Sequence, residues 1–103
     1  AAGLSDDMKA LGKNYKAFNQ AENPQAATTA LNNMRTAAVH SKQYKLAANT
    51  TDKVATSSAL FDQIIVEIDK AKVLVQAGKL DEAKKQGKKI AELRDQGHKY
   101  YTH

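Results

Sequence analysis

The chain has 103 residues, a net charge of +5 and no cysteine. This length suffices for one small domain with its own hydrophobic core, so we expect residues 1–103 to form a single domain. The lack of cysteine excludes disulfide bonds, thiolate catalysis, iron–sulfur clusters and cofactors attached through thioether bonds. One proline and five glycines, with abundant Ala, Lys and Gln, favour an all-α fold.

The charge arises from 16 Lys and Arg residues against 11 Asp and Glu, and only Arg35 and Arg94 are arginines. Nucleic-acid sites favour clustered arginines with aromatic side chains for stacking, and this sequence has no such cluster. The best apolar stretch, Leu60 to Val75, is interrupted by charged side chains at positions 62, 67, 69, 70 and 72. We therefore expect neither nucleic-acid binding nor insertion into a membrane.

Apolar residues at helical spacing predict the first two helices. The first runs from about Leu4 to Gln20, with an apolar stripe formed by Leu4, Met8, Leu11, Tyr15 and Phe18. Asn23 followed by Pro24 marks the start of the second helix, because Asn caps helix N-termini and Pro suits the first turn. This helix fades near Gln43, and its inner face carries Ala27, Leu31, Met34 and Ala38.

A polar connection from Tyr44 to about Ala55 follows, and we expect it to be the most mobile part of the chain. Three candidate N-caps then introduce a third helix, namely Thr56, Ser57 and Ser58. The inner stripe of this helix consists of Phe61, Ile64, Ile65, Ile68, Ala71 and Val75. Gly78 suits the left-handed position that ends a helix. A fourth helix is predicted from Lys79 to about Tyr101, lined by Leu80, Ala83, Gly87, Ile90 and Arg94.

Four amphipathic helices of similar length with short connections favour an antiparallel up-down-up-down four-helix bundle. In that arrangement the start of the first helix and the finish of the fourth lie at the same end. Met8 and His98, near opposite ends of the sequence, are thereby brought to one mouth of the bundle. From the sequence, Met8 can equally be a core residue, and His98 can lie in a solvated groove.

A thioether and an imidazole at one mouth restrict the cofactor that they can bind. Such neutral ligands are poor for Mg²⁺ or Ca²⁺ and weak for Zn²⁺, which prefers thiolates or several histidines. They suit haem iron, with Met8 and His98 as axial ligands on its two faces. The apolar slot that a porphyrin needs is predicted from Leu4, Leu11, Phe61, Ile64, Ile90 and Leu93. Gly97, beside His98, leaves room for the ring to approach the backbone.

Several segments resemble the cytochrome b562 family of small b-type haem bundles. The resemblance is strongest in DDMKAL around Met8, in LNNMR around Met34, and in LFDQIIVEID, AGKLDEAKK and ELRDQGHKYY, which follow in order. It implies one non-covalent haem b, with the family's methionine and histidine ligands at Met8 and His98. It also implies that Phe61 packs on the haem and that Arg94 is the family's arginine one turn before the histidine. The family is itself a standard example of the up-down-up-down topology.

These observations predict an electron-transfer protein and not an enzyme. With both axial positions filled, the iron has no open site for a substrate. No nucleophile–base pair and no paired carboxylates on one inner face are apparent in the sequence.

The alternative is a haem-free helical binding or metal-sensing module that uses His40, His98 and His103. In the sequence, His40 and His103 have no obvious partner, and both are expected to be exposed.

The expected partners are haem and a redox protein that the sequence does not identify. Lysines are frequent on the fourth helix, at Lys79, Lys84, Lys85, Lys88, Lys89 and Lys99. This face could bind an acidic partner, and it could equally be an ordinary solvated surface.

The sequence begins Ala-Ala-Gly without methionine, which is typical of an exported protein after removal of its signal peptide. We therefore expect a periplasmic monomer.

Overall fold

The computed structural model describes residues 3–101. Its helices are α1, Leu4–Gln20; α2, Pro24–Ser41; α3, Ser57–Gln76; and α4, Leu80–Tyr101. Within residues 3–101 there is no β-strand, so the predicted all-α four-helix bundle is confirmed. The predicted helix bounds agree with the observed ones to within the usual uncertainty of helix ends. Among the described residues, no helix combines the length and the apolar character that crossing a membrane requires.

Side-chain contacts between helices show the antiparallel register. From α1 to α2, Asp7 pairs with His40 and Asn14 with Asn33. Arg35 of α2 pairs with Asp69 of α3 at 2.9 Å, and Lys42, directly after α2, pairs with Asp62 of α3 at 2.6 Å. The Arg35–Asp69 hydrogen bond and the charge of Asp69 raise the pKa of Arg35, but both side chains are exposed. Such exposed pairs indicate the register of the helices but contribute little to stability.

Local capping signals set the helix ends. Asn23 Oδ1 accepts a hydrogen bond from the backbone N–H of Ala26 at 2.8 Å. Thr56 Oγ1 accepts one from the backbone N–H of Ala59 at 3.1 Å, so Thr56 is the cap among the three predicted candidates. Both side chains satisfy N–H groups that have no partner within the helix. Gly78 has a φ of +77° and provides the left-handed turn that ends α3, as predicted.

A contiguous apolar core runs through the bundle, but it is not equally dense along its length. The predicted inner positions of α2 and α3 are buried apart from Ile65, which is only partly buried, and Met34 has no exposed surface. On α1, by contrast, Leu4 and Met8 are only partly buried at the edge of this core. Adjacent helices pack closely from α1 to α2, α2 to α3 and α3 to α4, whereas α1 and α4 approach each other at few points. The bundle is therefore least filled between the start of α1 and the finish of α4.

At the other end of the same pair of helices, α1 and α4 come into close contact. A methyl group added at Gly87 would lie 2.6 Å from Cε2 of Phe18, whose side chain is fully buried. Gly87→Ala is expected to destabilise the protein, because overpacking costs about 1–3 kcal/mol. This cost exceeds the roughly 1 kcal/mol that alanine gains over glycine inside a helix. Urea denaturation of the variant and the parent protein measures the difference.

Gly12 on α1 provides the matched control for Gly87. A methyl group added there meets no atom within 4 Å. Gly12→Ala is therefore expected to stabilise the protein by about 0.5–1 kcal/mol through helix propensity alone. Stabilisation by both substitutions would contradict the close contact between Gly87 and Phe18.

Candidate functional site

A cavity of about 340 Å³ lies at the end of the bundle where α1 begins and α4 finishes. Its volume is in the range of small-molecule sites in proteins. The apolar part of its wall is formed by Leu4, Leu11, Leu46, Leu60, Phe61, Ile64 and Leu93. The remaining wall is formed by Ser5, Met8, Ser57, Arg94, Gly97, His98 and Tyr101. Among the described residues, no Asp or Glu lines this cavity.

The structure brings most of the predicted cofactor-binding residues to this one cavity. Met8 and His98 both line it, together with the predicted Leu4, Leu11, Phe61, Ile64, Leu93, Arg94 and Gly97. Ile90 does not line it, because its side chain is fully buried in the core. Ile90 precedes His98 by about two helical turns and therefore lies deeper in the bundle.

The two candidate ligands come from different helices and differ in exposure. Met8, on the first half of α1, is half-buried against the core, and His98, near the end of α4, is exposed at the rim of the cavity. Within residues 3–101, the side chain of His98 has no hydrogen-bond or ion-pair partner. Its ring nitrogens are therefore not engaged by these residues, and imidazole nitrogen is a common metal ligand.

Arg94 connects α4 with α1 beside the cavity. Its guanidinium carbon lies 5.3 Å from the centre of the Tyr15 ring, which places the cation over the aromatic face. Its Nη2 lies 3.6 Å from Oδ1 of the exposed Asp95. Because no carboxylate among residues 3–101 lines the cavity, Arg94 leaves the site with a positive character. An anionic group on a bound ligand would be stabilised here.

The connection between α2 and α3, residues 42–56, lies against the end of α4, and we call it the strap. The backbone N–H of Asn49 donates to the carbonyl of Tyr100 at 2.7 Å, and its side-chain amide donates to the carbonyl of Lys99 at 2.8 Å. Carbonyls in the last turn of a helix have no partner within it, so Asn49 satisfies two of them. The Tyr101 hydroxyl donates to the carbonyl of Ala55. The strap thus secures the part of α4 that carries His98, and Leu46 of the strap enters the cavity wall.

Asn49→Ala is expected to loosen the end of α4, because it removes the side-chain hydrogen bond to Lys99. The loss of one such bond costs about 0.5–1.5 kcal/mol. Amide hydrogen exchange at residues 97–101 should therefore become several-fold faster. Asn32→Ala is the control, since Asn32 is exposed on α2 and its side chain forms no hydrogen bond to residues 3–101. Equal exchange at the end of α4 in both variants would contradict this role of Asn49.

His40, named in the haem-free alternative, is engaged outside the cavity wall. Its Nδ1 lies 2.5 Å from Oδ2 of Asp7, and its Nε2 lies 2.8 Å from Nε2 of Gln43. The prediction that His40 has no partner is therefore wrong. Asp7 is buried, and a buried carboxylate needs such a partner. Although the side chain of His40 is 42% exposed, as predicted, it joins α2 to α1.

The metal-sensing alternative needs a group of ligands that the structure does not provide in its described part. Within residues 3–101, no three His, Cys, Asp or Glu side chains come together as a possible metal site. His98 and His40 do not belong to such a group, and His103 lies outside the described residues.

Comparison with known proteins identifies the family. The family model described as cytochrome b562 matches residues 3–102, nearly the whole chain. The chain belongs to the cytochrome b562 family. The family consists of helical bundles that bind b-type haem without a covalent bond and carry electrons. The chain is also similar to the probable soluble cytochrome b562 2 of Yersinia pestis, with 33% identity over 107 aligned positions. That alignment covers 98% of this chain and 83% of the relative.

The cavity lining suits the haem of the cytochrome b562 family. A thioether and an imidazole are both present, and such neutral ligands are found on the iron of haem proteins. The predominantly apolar wall suits a porphyrin, and Arg94 suits its carboxylate groups. A methyl group added at Gly97 would lie 3.3 Å from Cδ2 of Leu60, so a side chain at this position would narrow the cavity.

Proposed function

We propose that this chain is a b-type cytochrome in which Met8 and His98 coordinate the iron of one non-covalently bound haem. The observation that supports this proposal is that one largely apolar cavity is lined by both a thioether and an imidazole, supplied by α1 and α4. When bound, the haem supplies a one-electron redox centre. The family membership supports the haem and the electron transfer, and the composition of the lining supports the ligand pair.

The chain's own residues hold and insulate this centre. Leu11, Phe61 and Ile64 exclude water from its inner side, and a poorly hydrated site strengthens the influence of nearby charges. Arg94 offsets the negative charge of the porphyrin carboxylates, while its stacking on Tyr15 holds α4 against α1. With both Met8 and His98 bound to the iron, no position would remain for a substrate. This arrangement serves electron transfer and not substrate chemistry.

Absorption spectra of the purified protein, with added haemin, test the proposal. We expect the uptake of one haem per chain and sharp low-spin bands on reduction. A protein that takes up no added haem would contradict the whole proposal. Tight binding with a high-spin spectrum would contradict the Met8–His98 pair and leave haem binding intact.

Location and oligomeric state belong to the same proposal. We propose a periplasmic monomer, as expected from the sequence. Cell fractionation of the native host tests the location, and sedimentation equilibrium of the haem-loaded protein tests the oligomeric state. Recovery in the cytoplasmic fraction, or a mass of two chains, would contradict the respective part.

A further inference from the structure

The lysines of α4 do not form a uniformly basic surface. Its outer face carries three lysines and three carboxylates, all of them exposed: Asp81, Lys85, Lys88, Glu92, Asp95 and Lys99. On this face the formal charges cancel. The basic α4 face suggested by the sequence is therefore close to neutral along its outer side.

α1 has a different distribution of charge. Lys9, Lys13 and Lys16 are spaced by four and three residues, so they lie on one face of the helix, and all three are exposed. We call them the α1 stripe. None of their side chains forms a hydrogen bond or an ion pair with residues 3–101. Like charges at this spacing reduce helix stability, so the stripe is not explained by the stability of α1.

The acidic residues of α1 offset only part of the positive charge of the stripe. Asp7 is buried and pairs with His40 of α2. Asp6 is exposed one turn before Lys9, and its carboxylate also accepts a hydrogen bond from the backbone N–H of Gly3, so it offsets at most one of the three positive charges. A net positive charge therefore remains on this side of α1 and can act on a molecule in solution.

The stripe begins beside the cavity. Lys9 directly follows Met8, which lines the cavity wall. From Lys9 to Lys16 the helix rises by about 10 Å, similar to the Debye length of about 10 Å at 0.1 M salt. The three charges therefore act together on an approaching partner at moderate salt.

We propose that the α1 stripe is the docking surface for the acidic face of a redox protein that exchanges electrons with the group in the cavity; this rests on the proposed function. Charge complementarity defines the partner, since three unpaired lysines attract a carboxylate-rich surface. An anionic membrane is less well suited, because membrane-surface helices insert large apolar side chains. The exposed large apolar side chains of the described residues are Val39, Val66 and Val73, and none lies on α1.

Stopped-flow electron transfer between the haem-loaded chain and an acidic flavodoxin tests the docking surface. The triple variant K9E/K13E/K16E should slow the second-order rate at low salt by about tenfold or more, because steering contributes factors of 10 to 1,000. The matched control K85E/K88E/K89E changes the net charge equally on α4 and should slow the rate much less. Raising the salt should remove the difference between the variants. Equal slowing by both triple variants, or no slowing by the stripe variant, would overturn the proposal.

A second measurement separates this proposal from the proposed function. Absorption spectra of each variant show first whether it binds haem. A chain that binds no haem would contradict the proposed function and would not bear on the docking surface. A ¹⁵N chemical-shift titration with oxidised flavodoxin does not require electron transfer and should shift the amides of residues 9–16. No shifts in that segment would overturn the docking surface even if haem is bound. Stripe-dependent binding to phosphatidylserine vesicles, without a response to flavodoxin, would overturn it in favour of a membrane surface.

Discussion

Met8→Leu is expected to remove one axial ligand from the haem while leaving the cavity filled. Leucine has nearly the volume of methionine but no sulfur, so the substitution tests ligation separately from packing. We expect the low-spin spectrum to change to that of a haem with an open or water-filled axial position. The reduction potential should also fall by a sizeable part of the about 0.8 V range that axial ligands span. Absorption spectroscopy and a potentiometric titration measure both effects.

Met34→Leu is the matched control for this experiment. Met34 is fully buried in the core and does not line the cavity. The same exchange there should cost less than about 1.5 kcal/mol and leave both the spectrum and the potential unchanged. His98→Ala extends the series and should weaken haem binding itself, because it removes the imidazole. An unchanged low-spin spectrum and potential in Met8→Leu would show that Met8 is only a wall residue.

Removal of the haem is expected to lower the free energy of unfolding by several kcal/mol. A ligand that binds only the folded chain stabilises it by RT ln(1 + [L]/Kd), about 4 kcal/mol at a thousandfold excess over Kd. Without haem, the structure should loosen first around the cavity. The cavity is bordered by the start of α1 and the end of α4, which contact each other at few points. Urea denaturation of the two forms, at a fixed concentration of free haem, measures the total effect.

Hydrogen exchange of the haem-free and haem-bound forms locates that effect. Amides near Met8, in the strap and in residues 93–101 should lose most protection when the haem is removed. Amides of α2 around Leu31 serve as the internal control, since Leu31 is buried in the core and does not line the cavity. Equal protection of both forms at the cavity, or equal urea midpoints, would contradict the linkage between haem and fold.

Local signals in the sequence predicted the fold well. The caps at Asn23 and Thr56, the left-handed Gly78 and the apolar periodicity each act within a few residues, so the sequence displays them directly. The inner face of α4, which includes Gly87 and Ile90, was predicted for the same reason. The position of a residue along the bundle axis cannot be read from periodicity, because it depends on the register between helices. Periodicity therefore placed Ile90 on the inner face correctly but did not show that it lies in the core beyond the cavity.

The contacts that the sequence did not predict all join distant segments. Asp7 and His40 lie on different helices, and neither carries a local signal that it will find the other. Asn49 stands in a polar connection, where its amide could form a local turn as readily as a bond to the end of α4. Its partners there are backbone carbonyls of α4. Because every residue has such a carbonyl, the sequence gives no sign of which ones Asn49 will bind. Leu46, Leu60 and Tyr101 enter the cavity wall through the same tertiary arrangement.

The few contacts between α1 and α4 suggest how the cofactor enters the protein. α1 packs closely on α2, α4 packs closely on α3, and α2 packs on α3, so the bundle consists of two helical hairpins. Parting α1 from α4 at the cavity breaks few contacts, and such local opening requires less free energy than complete unfolding. Phe18 packs closely against Gly87 at the far end of this helix pair, so we expect that end to stay closed while the cavity end opens. We expect haem uptake to follow the rate of this opening, so the folded chain can be loaded without first being unfolded.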